Sequence, residues 1–466
     1  MSPTFFNDDD LQDRRSRPRL LMVAVGCHPT QAMEWRLGWR RAMLAAQTCD
    51  VTVLHGPGVQ SDELAKLAAQ ERGTSEGIRF VGVQRGKLGD VLNRSEVTYY
   101  LGYRRWARKA LQVARQLHDE QPFDLVHHVN YCGFREPGMT WKLGVPFIWG
   151  PVGGTQDFPR QFLGSLPVAS AAREVVRTWL NWWQLRCSVR VRRAANAASA
   201  VLAATSTAQR DLKQTLGIDA IRQLETGLDC EIAQPRTLRN PADPLRVLWA
   251  GRLRAWKALP LLLEALAQLP ETTRVEVRVL GSGPCRDAWR RKAERLGVAH
   301  LIEWVDWPEY ADTLPHYRWA DVFAFTSLRD TSGTGLIEAL AAGTPVLGLD
   351  HQGAADIMTP DCAVAVPVTT PDQTSADLAA GLVALHDDPD RLLALSRGAQ
   401  RRAADYCWAE RSEFTQQIYE QALAGAASAE RQTASPIARP RPRNPELTYP
   451  DFTPEPPLGV TSSPSA

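Results

Sequence analysis

The chain has 466 residues, 44% hydrophobic and 23% charged, with a formal net charge of +2. That length exceeds what one hydrophobic core supports, so two domains of ordinary size are expected, and a near-neutral balance leaves no global electrostatic footprint for nucleic acid. The eight cysteines are scattered, without a C-x-x-C pair or a neighbouring histidine at ligand spacing, which excludes a zinc module and points to a reducing compartment.

The segment Met1–Pro18 is polar and contains a run of three aspartates, and the apolar run Leu20–Val25 is too short for a signal-peptide core or a membrane span. A cytoplasmic protein is therefore expected. From Arg19, short apolar strands (Leu20–Val25, Val51–Leu54, Ile78–Val83, Asp124–Val129, Phe147–Trp149, Ala200–Ala204) alternate with helical patterns at Trp35–Ala46 and Tyr99–Leu117. A second series (Arg246–Ala250, Val275–Leu280, Leu301–Val305, Val322–Thr326, Val346–Leu349) repeats the scheme after a Pro-rich polar stretch, Pro235–Pro244. Such alternation predicts βα units on parallel sheets. The expected division is a polar extension (1–18), a first Rossmann-like domain (19–234), a linker (235–244), a second Rossmann-like domain (245–404), a helix (405–426) and a disordered Pro/Ser-rich tail (427–466). Two facing α/β, doubly wound domains leave a cleft at the carboxyl ends of their strands, where ligands bind in this architecture.

Candidate site residues fall at those strand ends. Cys27-His28-Pro29-Thr30-Gln31-Ala32-Met33-Glu34 follows the first strand, and His28 is either a hydrogen-bonded loop histidine or a base. The fourth strand ends in His127-His128, which alternation sends to opposite faces, so at most one looks into the cleft. Arg135 follows, and after the next strand come Gly153 and Gly154, which suit either close ligand approach or a tight connection. Arg173 to Ala194 interleaves arginines with Trp179, Trp182 and Trp183, the pattern of an ordinary domain cover or of a helix resting on an anionic bilayer. In the second half, Gly251-Arg252 and Lys257 open a helix, offering a guanidinium fork and a point charge to an anion, or else standing as two solvated basic residues at a βα turn. Leu280-Gly281-Ser282-Gly283-Pro284 lacks the third glycine of a dinucleotide fingerprint. The strand Val322–Thr326 then runs into Ser327-Leu328-Arg329-Asp330-Thr331-Ser332-Gly333-Thr334-Gly335, a loop leading to a helix N-terminus that could cradle phosphate. Asp330 and Glu338 bracket it with seven residues between them.

Acid, seven residues, Glu, then Ala-Leu-Ala-Ala-Gly-Thr-Pro345 resembles the donor-site signature of retaining family 4 glycosyltransferases, with Asp330 where the family usually has Glu. Trp149-Gly150-Pro151-Val152-Gly153-Gly154, Gly251-Arg252 with Lys257, and Leu280-Gly281-Ser282-Gly283-Pro284 are similar to further runs of that family. Ala32 and Met33 depart from its small residues, Ala258 stands where it often has Gly, and Thr226 of Leu224-Glu225-Thr226-Gly227-Leu228-Asp229 replaces its Asn. The resemblance implies a GT-B fold with the C-terminal helix crossing back to the first domain. It implies a nucleotide-diphosphate sugar donor, a hydroxyl acceptor that is a glycan or lipid-linked, and transfer of a hexose-type sugar with retention in glycan or envelope/extracellular polysaccharide synthesis. No metal or other cofactor is implied. Catalytic roles carry over to His128, Arg252, Lys257 and Asp330. Donor contacts carry over to Arg252, Lys257, Gly281, Gly283, Ser332, Gly333, Thr334, Gly335 and Glu338, and acceptor-side contacts to Glu34, Arg135, Gly153 and Gly154. Peripheral association with an anionic inner membrane face through 173–194 would fit a lipid-linked acceptor. Two other readings stay open: an inverting GT-B enzyme with His28 as base, and a catalytically silent GT-B subunit.

Overall fold

The computed structural model describes residues 17–31, 33–71, 78–93, 98–229, 236–307 and 312–433. The expected N-terminal extension as far as residue 16 and the expected tail beyond Thr433 lie outside these residues, as does Ala32.

Two all-parallel sheets form the framework. The first contains β1 (Arg19–Ala24), β2 (Asp50–His55), β3 (Ile78–Gly82), β4 (Leu125–Asn130), β5 (Phe147–Val152), β6 (Ala200–Ala203) and β7 (Ile221–Arg222), in the order β3-β2-β1-β4-β5-β6-β7. The second contains β8 (Leu245–Ala250), β9 (Val275–Leu280), β10 (Ile302–Val305), β11 (Val322–Phe325), β12 (Val346–Leu349) and β13 (Ala363–Val366), in the order β10-β9-β8-β11-β12-β13. Central strands covered on both faces must be apolar throughout, and β4, β5, β11 and β12 are buried at every position. Strand order reverses between β1 and β4 in one sheet and between β8 and β11 in the other, which opens a crevice at the carboxyl edge of each.

Helices cover both faces. Tyr99–Glu120 buries Tyr103, Trp106, Ala107, Ala110, Ala114 and Leu117 at three- and four-residue spacing, a stripe that lies on the first sheet. The stretch expected as one basic, Trp-rich helix is two, Val168–Cys187 and Val189–Ala197, broken at Ser188, whose side chain caps the second by accepting from the Val191 N–H at 3.4 Å. The last helix, Trp408–Thr433, places Ile418, Tyr419 and Ala422 in the core of the first sheet, so the chain does cross back. Among the described residues no helix is long and apolar enough to cross a membrane. Cys27, Cys49, Cys132, Cys187, Cys285 and Cys362 are free, whereas Cys407 is disulfide-bonded. Spacing did not announce that pairing, because only the fold brings its sulfur to a partner.

His127 and His128 point to opposite faces of β4, as alternation requires. His127 Nε2 donates to the Gly150 carbonyl at 2.9 Å and Nδ1 accepts from Tyr419 Oη at 2.7 Å, tying β4 to the returning helix. Burial depresses its pKa to about 3, with Arg41 adding to the effect, and burial alone depresses that of His128 to about 4. In the unfolded chain both rings take up protons near pH 6.5. Their neutral burial is thus harmless above that pH, and stability falls as pH drops towards the folded values. Urea unfolding between pH 7 and pH 4 should show a loss approaching roughly 1.4 kcal/mol per pH unit for each ring. His127→Gln should be less stable at pH 7 and should lose less on acidification.

Candidate donor and acceptor site

In the second lobe, three loops at the carboxyl ends of β8, β9 and β11 are stitched together through their backbones. Leu253 N–H donates to the Ser282 carbonyl at 2.8 Å, Cys285 N–H to Leu253 at 3.0 Å, and Leu328 N–H to Trp256 at 2.9 Å. Thr326 Oγ1 donates to the Lys257 carbonyl at 2.9 Å and accepts from Trp249 Nε1 at 2.9 Å. The close approach explains two of the glycines. A Cβ on Gly281 would lie 2.0 Å from the Gly251 carbonyl oxygen, and one on Gly283 would lie 2.6 Å from that of Leu253. Both carry positive φ, 155° and 151°.

On this platform Lys257 Nζ and the Asp330 carboxylate form an ion pair, with side chains 21% and 24% exposed. Arg252 is exposed, and no side-chain partner engages it among the described residues. Gly333 adopts the left-handed conformation, φ 55°, and so turns the chain into the helix Thr334–Ala341. Thr334 and Gly335 form its half-exposed first turn. Glu338 lies in the next turn and accepts from Tyr317 Oη at 3.0 Å. The donor-side residues of the sequence reading, drawn from three separate loops, thus converge on the crevice beside β8 and β11.

The first lobe meets this loop directly. Gly153 leaves room for Thr331, whose Cγ2 would be 2.5 Å from a Cβ there. Gly154, at φ 83°, has its N–H on Gln156 Oε1 at 3.0 Å, and Thr331 Oγ1 donates to the same oxygen at 3.4 Å. Arg177 holds the turn, donating to the carbonyls of Gln156 at 2.7 Å and Gly154 at 3.4 Å. Glu174, on the same helix, is 4% exposed and pairs with Arg329 at 3.0 Å. Ser332 Oγ donates to Glu225 Oε1 at 2.7 Å.

Other predicted residues stand apart from this contact. Arg135 is hydrogen-bonded to Asn181 Oδ1 and lies over the rings of Tyr100 and Phe134. Glu34 is exposed in the first turn of Met33–Ala45, its carbonyl accepting from Asn130 Nδ2 at 3.0 Å. His128 is 1% exposed and hydrogen-bonded to Tyr103 Oη at 3.1 Å, against the helix side of β4 rather than at an open surface. His28 is 8% exposed, its Nδ1 accepting from the Thr30 N–H at 3.2 Å and its Nε2 3.8 Å from Glu63.

Three side chains at the site had no assigned role in the sequence reading. Gln352 accepts from the Asp330 N–H at 3.1 Å and donates to the Asp157 carbonyl at 2.6 Å. Gln156 and Glu225 are the others. Glu225 lies in the stretch Leu224–Asp229 already quoted, but nothing in the spacing of Glu225 or Gln352 marks them as contacts of the loop 329–335.

Gly353 is the tightest point, since a Cβ there would fall 1.6 Å from the Thr331 carbonyl oxygen. A backbone atom cannot rotate away, so Gly353→Ala must displace the loop 329–335. The variant should melt several degrees lower, whereas Gly164→Ala, with nothing within 4 Å of its Cβ, should melt like the wild type in the same calorimetric scan.

Residues 244–388 match the family model described as Glycosyl transferases group 1. The chain is 30% identical over 252 residues to a D-inositol 3-phosphate glycosyltransferase of Kineococcus radiotolerans, covering 49% of this chain and 58% of that protein. It is 34% identical over 206 residues to the protein of the same description in Thermobispora bispora, covering 41% and 46%. The chain therefore spans about half the length of the curated relatives it matches. Among solved structures it superimposes on HepE of Anabaena in complex with UDP and glucose with a TM-score of 0.56 at 16% identity, covering 87% of this chain and 100% of that one. It also superimposes on sucrose-phosphate synthase of Thermosynechococcus elongatus with a TM-score of 0.60 at 16% identity, covering 88% and 100%. The two facing parallel-sheet lobes are a GT-B fold, and the second of them carries the similarity to the group 1 glycosyl transferases.

Proposed function

We propose that the protein transfers a hexose-type sugar from a nucleotide-diphosphate sugar to a hydroxyl acceptor, with retention of configuration, in the synthesis of a glycan or of envelope or extracellular polysaccharide. The observation that carries this reading is the Lys257–Asp330 pair beside exposed Arg252, set at the switch-point crevice next to the helix that bears Glu338. Cleavage at the anomeric carbon leaves negative charge on a nucleoside diphosphate, and preorganised cations lower the barrier for that step. Arg252 supplies a planar fork and Lys257 a point charge held in place by Asp330. Glu338, oriented by Tyr317, takes the ribose hydroxyls, and Asp330 lies by the sugar ring. The Ser332–Gly335 backbone meets sugar or diphosphate. The acceptor attacks from the face the diphosphate leaves, and a phosphate oxygen takes its proton. No metal enters this scheme, because protein cations meet the leaving charge. HepE, which shares the fold, was solved with UDP and glucose, ligands of the chemistry proposed here.

The acceptor side is Glu34, Arg135 and the Gly153–Gly154 turn, with His128 behind it. The helix Val168–Cys187 supports an acceptor held at an anionic membrane surface on the cytoplasmic side. Its outer face exposes Val175, Val176, Trp179, Trp182 and Trp183, with Trp179 stacked on Trp183 and Arg186 over Trp182. Arg173, Arg186, Arg192 and Arg193 are exposed on this helix and the next, while the one acid of the stretch, Glu174, is buried. Tryptophan at headgroup depth and arginine at an anionic surface both favour such docking.

A thermal-shift panel of UDP, GDP, ADP and their sugar conjugates tests the donor reading. One base class should raise the melting temperature, since a ligand at about 100 times its dissociation constant adds roughly 2.7 kcal/mol. Arg252→Ala and Glu338→Ala should each remove the shift. No shift with any nucleotide in the wild type would overturn the reading in favour of a silent subunit, and a product of opposite anomeric configuration to the donor would establish inversion.

Co-sedimentation tests the surface. The protein should pellet with phosphatidylglycerol-containing vesicles and not with neutral ones. Replacing Trp179, Trp182 and Trp183 together by serine should leave it in the supernatant.

A further inference from the structure

Glu225 belongs to neither half of the proposed chemistry, yet it joins them. It follows β7, the last strand of the first sheet, and its backbone is fixed there: the buried Arg41 guanidinium donates to the Glu225 carbonyl at 3.3 Å and to that of Leu224 at 3.2 Å. Two residues on, a Cβ at Gly227 would meet the Trp408 ring at 2.8 Å, and Leu228 exchanges backbone hydrogen bonds with Tyr406 and Trp408 at 2.8 and 3.0 Å. The main chain around Glu225 is thus clamped from both sides. Its side chain reaches the other lobe and accepts from Ser332, the residue before the left-handed Gly333 that starts the helix carrying Glu338.

We propose that Glu225 is a positioning residue for the donor site: through Ser332 it fixes the turn at Gly333, and with it the N-terminus of Thr334–Ala341, against the first lobe. The inference rests on the donor-site reading above. It goes further by assigning a residue that no donor motif contains. Arg329 and Thr331 also cross to the first lobe, but Glu225 makes the shortest of the three hydrogen bonds and acts on the residue next to the helix start.

The surroundings disfavour the charged form of the carboxyl. Burial, the largest influence, pushes its pKa above the ordinary value, and the carboxylates of Glu34 and Asp330 push in the same direction. Hydrogen bonds with Ser332 and Cys132 oppose them. In either form the carboxyl accepts from Ser332, so the contact itself does not require the charge. Glutamine, with the same acceptor oxygen and no charge, should therefore substitute for it, whereas alanine should not.

The test is a double-mutant cycle of Glu225→Ala and Ser332→Ala, with Glu225→Gln as the conservative variant, read in two ways. Amide hydrogen exchange of the ligand-free protein should be faster across 329–335 in each alanine variant, no faster in the double variant than in either single one, and unchanged in Glu225→Gln. The affinity for the nucleoside diphosphate that stabilises the wild type should fall about 10-fold in each alanine variant and no further in the double, the size expected for one hydrogen bond. Unchanged exchange in Glu225→Ala, multiplicative effects in the double variant, or a Glu225→Gln as impaired as the alanine would each overturn the proposal. If no nucleotide binds the wild type, the donor-site reading fails, and the exchange measurements alone still decide whether Glu225 holds the turn.

Discussion

Thr331 occupies a space that exists only because two other positions lack a side chain. Gly153 in the first lobe and Gly353 in the second both face it, at 2.5 Å from its Cγ2 and 1.6 Å from its carbonyl oxygen if either carried a Cβ. The loop 329–335 is therefore held at a close approach that depends on glycine at both positions, and the rest of the candidate site is arranged around it. Arg329, Thr331 and Ser332 each bond to the first lobe, while Asp330, between them, turns to Lys257 and Gln352. Neighbouring residues of one loop thus serve two purposes, cohesion between lobes and presentation of a charged pair to the crevice.

The electrostatics follow the same division. Away from the crevice, buried titratable groups are kept neutral, as for His127 and His128, or matched by a partner, as for Glu174 with Arg329 and Glu136 with Arg104 and Arg190. Glu174 and Arg329 are costly to desolvate, and either one alone would be more so, which makes the pair a poor source of net stability but a strict condition on where the loop sits. At the crevice, Arg252 is left to solvent and Lys257 is only partly covered, a state suited to meeting an incoming anion.

The helix Val168–Cys187 links surface and site within one element. Its inward residues, Glu174, Arg177 and Asn181, touch the donor loop, the Gly154 turn and Arg135, while its outward residues are aromatic, aliphatic and basic. A helix presents both sets because residues three or four apart share a face, and the two faces here meet different surroundings. The same segment therefore links the loop 329–335 to the molecular surface.

What the sequence determined by itself was the alternation of strands and helices, the resulting pair of parallel sheets, and the strand-end loops that flank the crevice, because these are written as local patterns: apolar runs of strand length, glycines at strand ends, and the spacing of Asp330, Glu338, Arg252 and Lys257. Strand β7, two residues long, was not legible, since so short a segment carries no periodicity of its own, and β13 was also missed. The break at Ser188 was hidden inside a continuous run of arginine and apolar residues. What only the tertiary structure decided was which distant residues meet: Lys257 with Asp330, Glu174 with Arg329, Glu225 with Ser332, and glycines 153 and 353 with Thr331. It also decided that His128 is packed against Tyr103. These contacts join residues far apart in the chain, and their energies depend on burial and on close approach, quantities that come into being only when the two sheets are brought face to face.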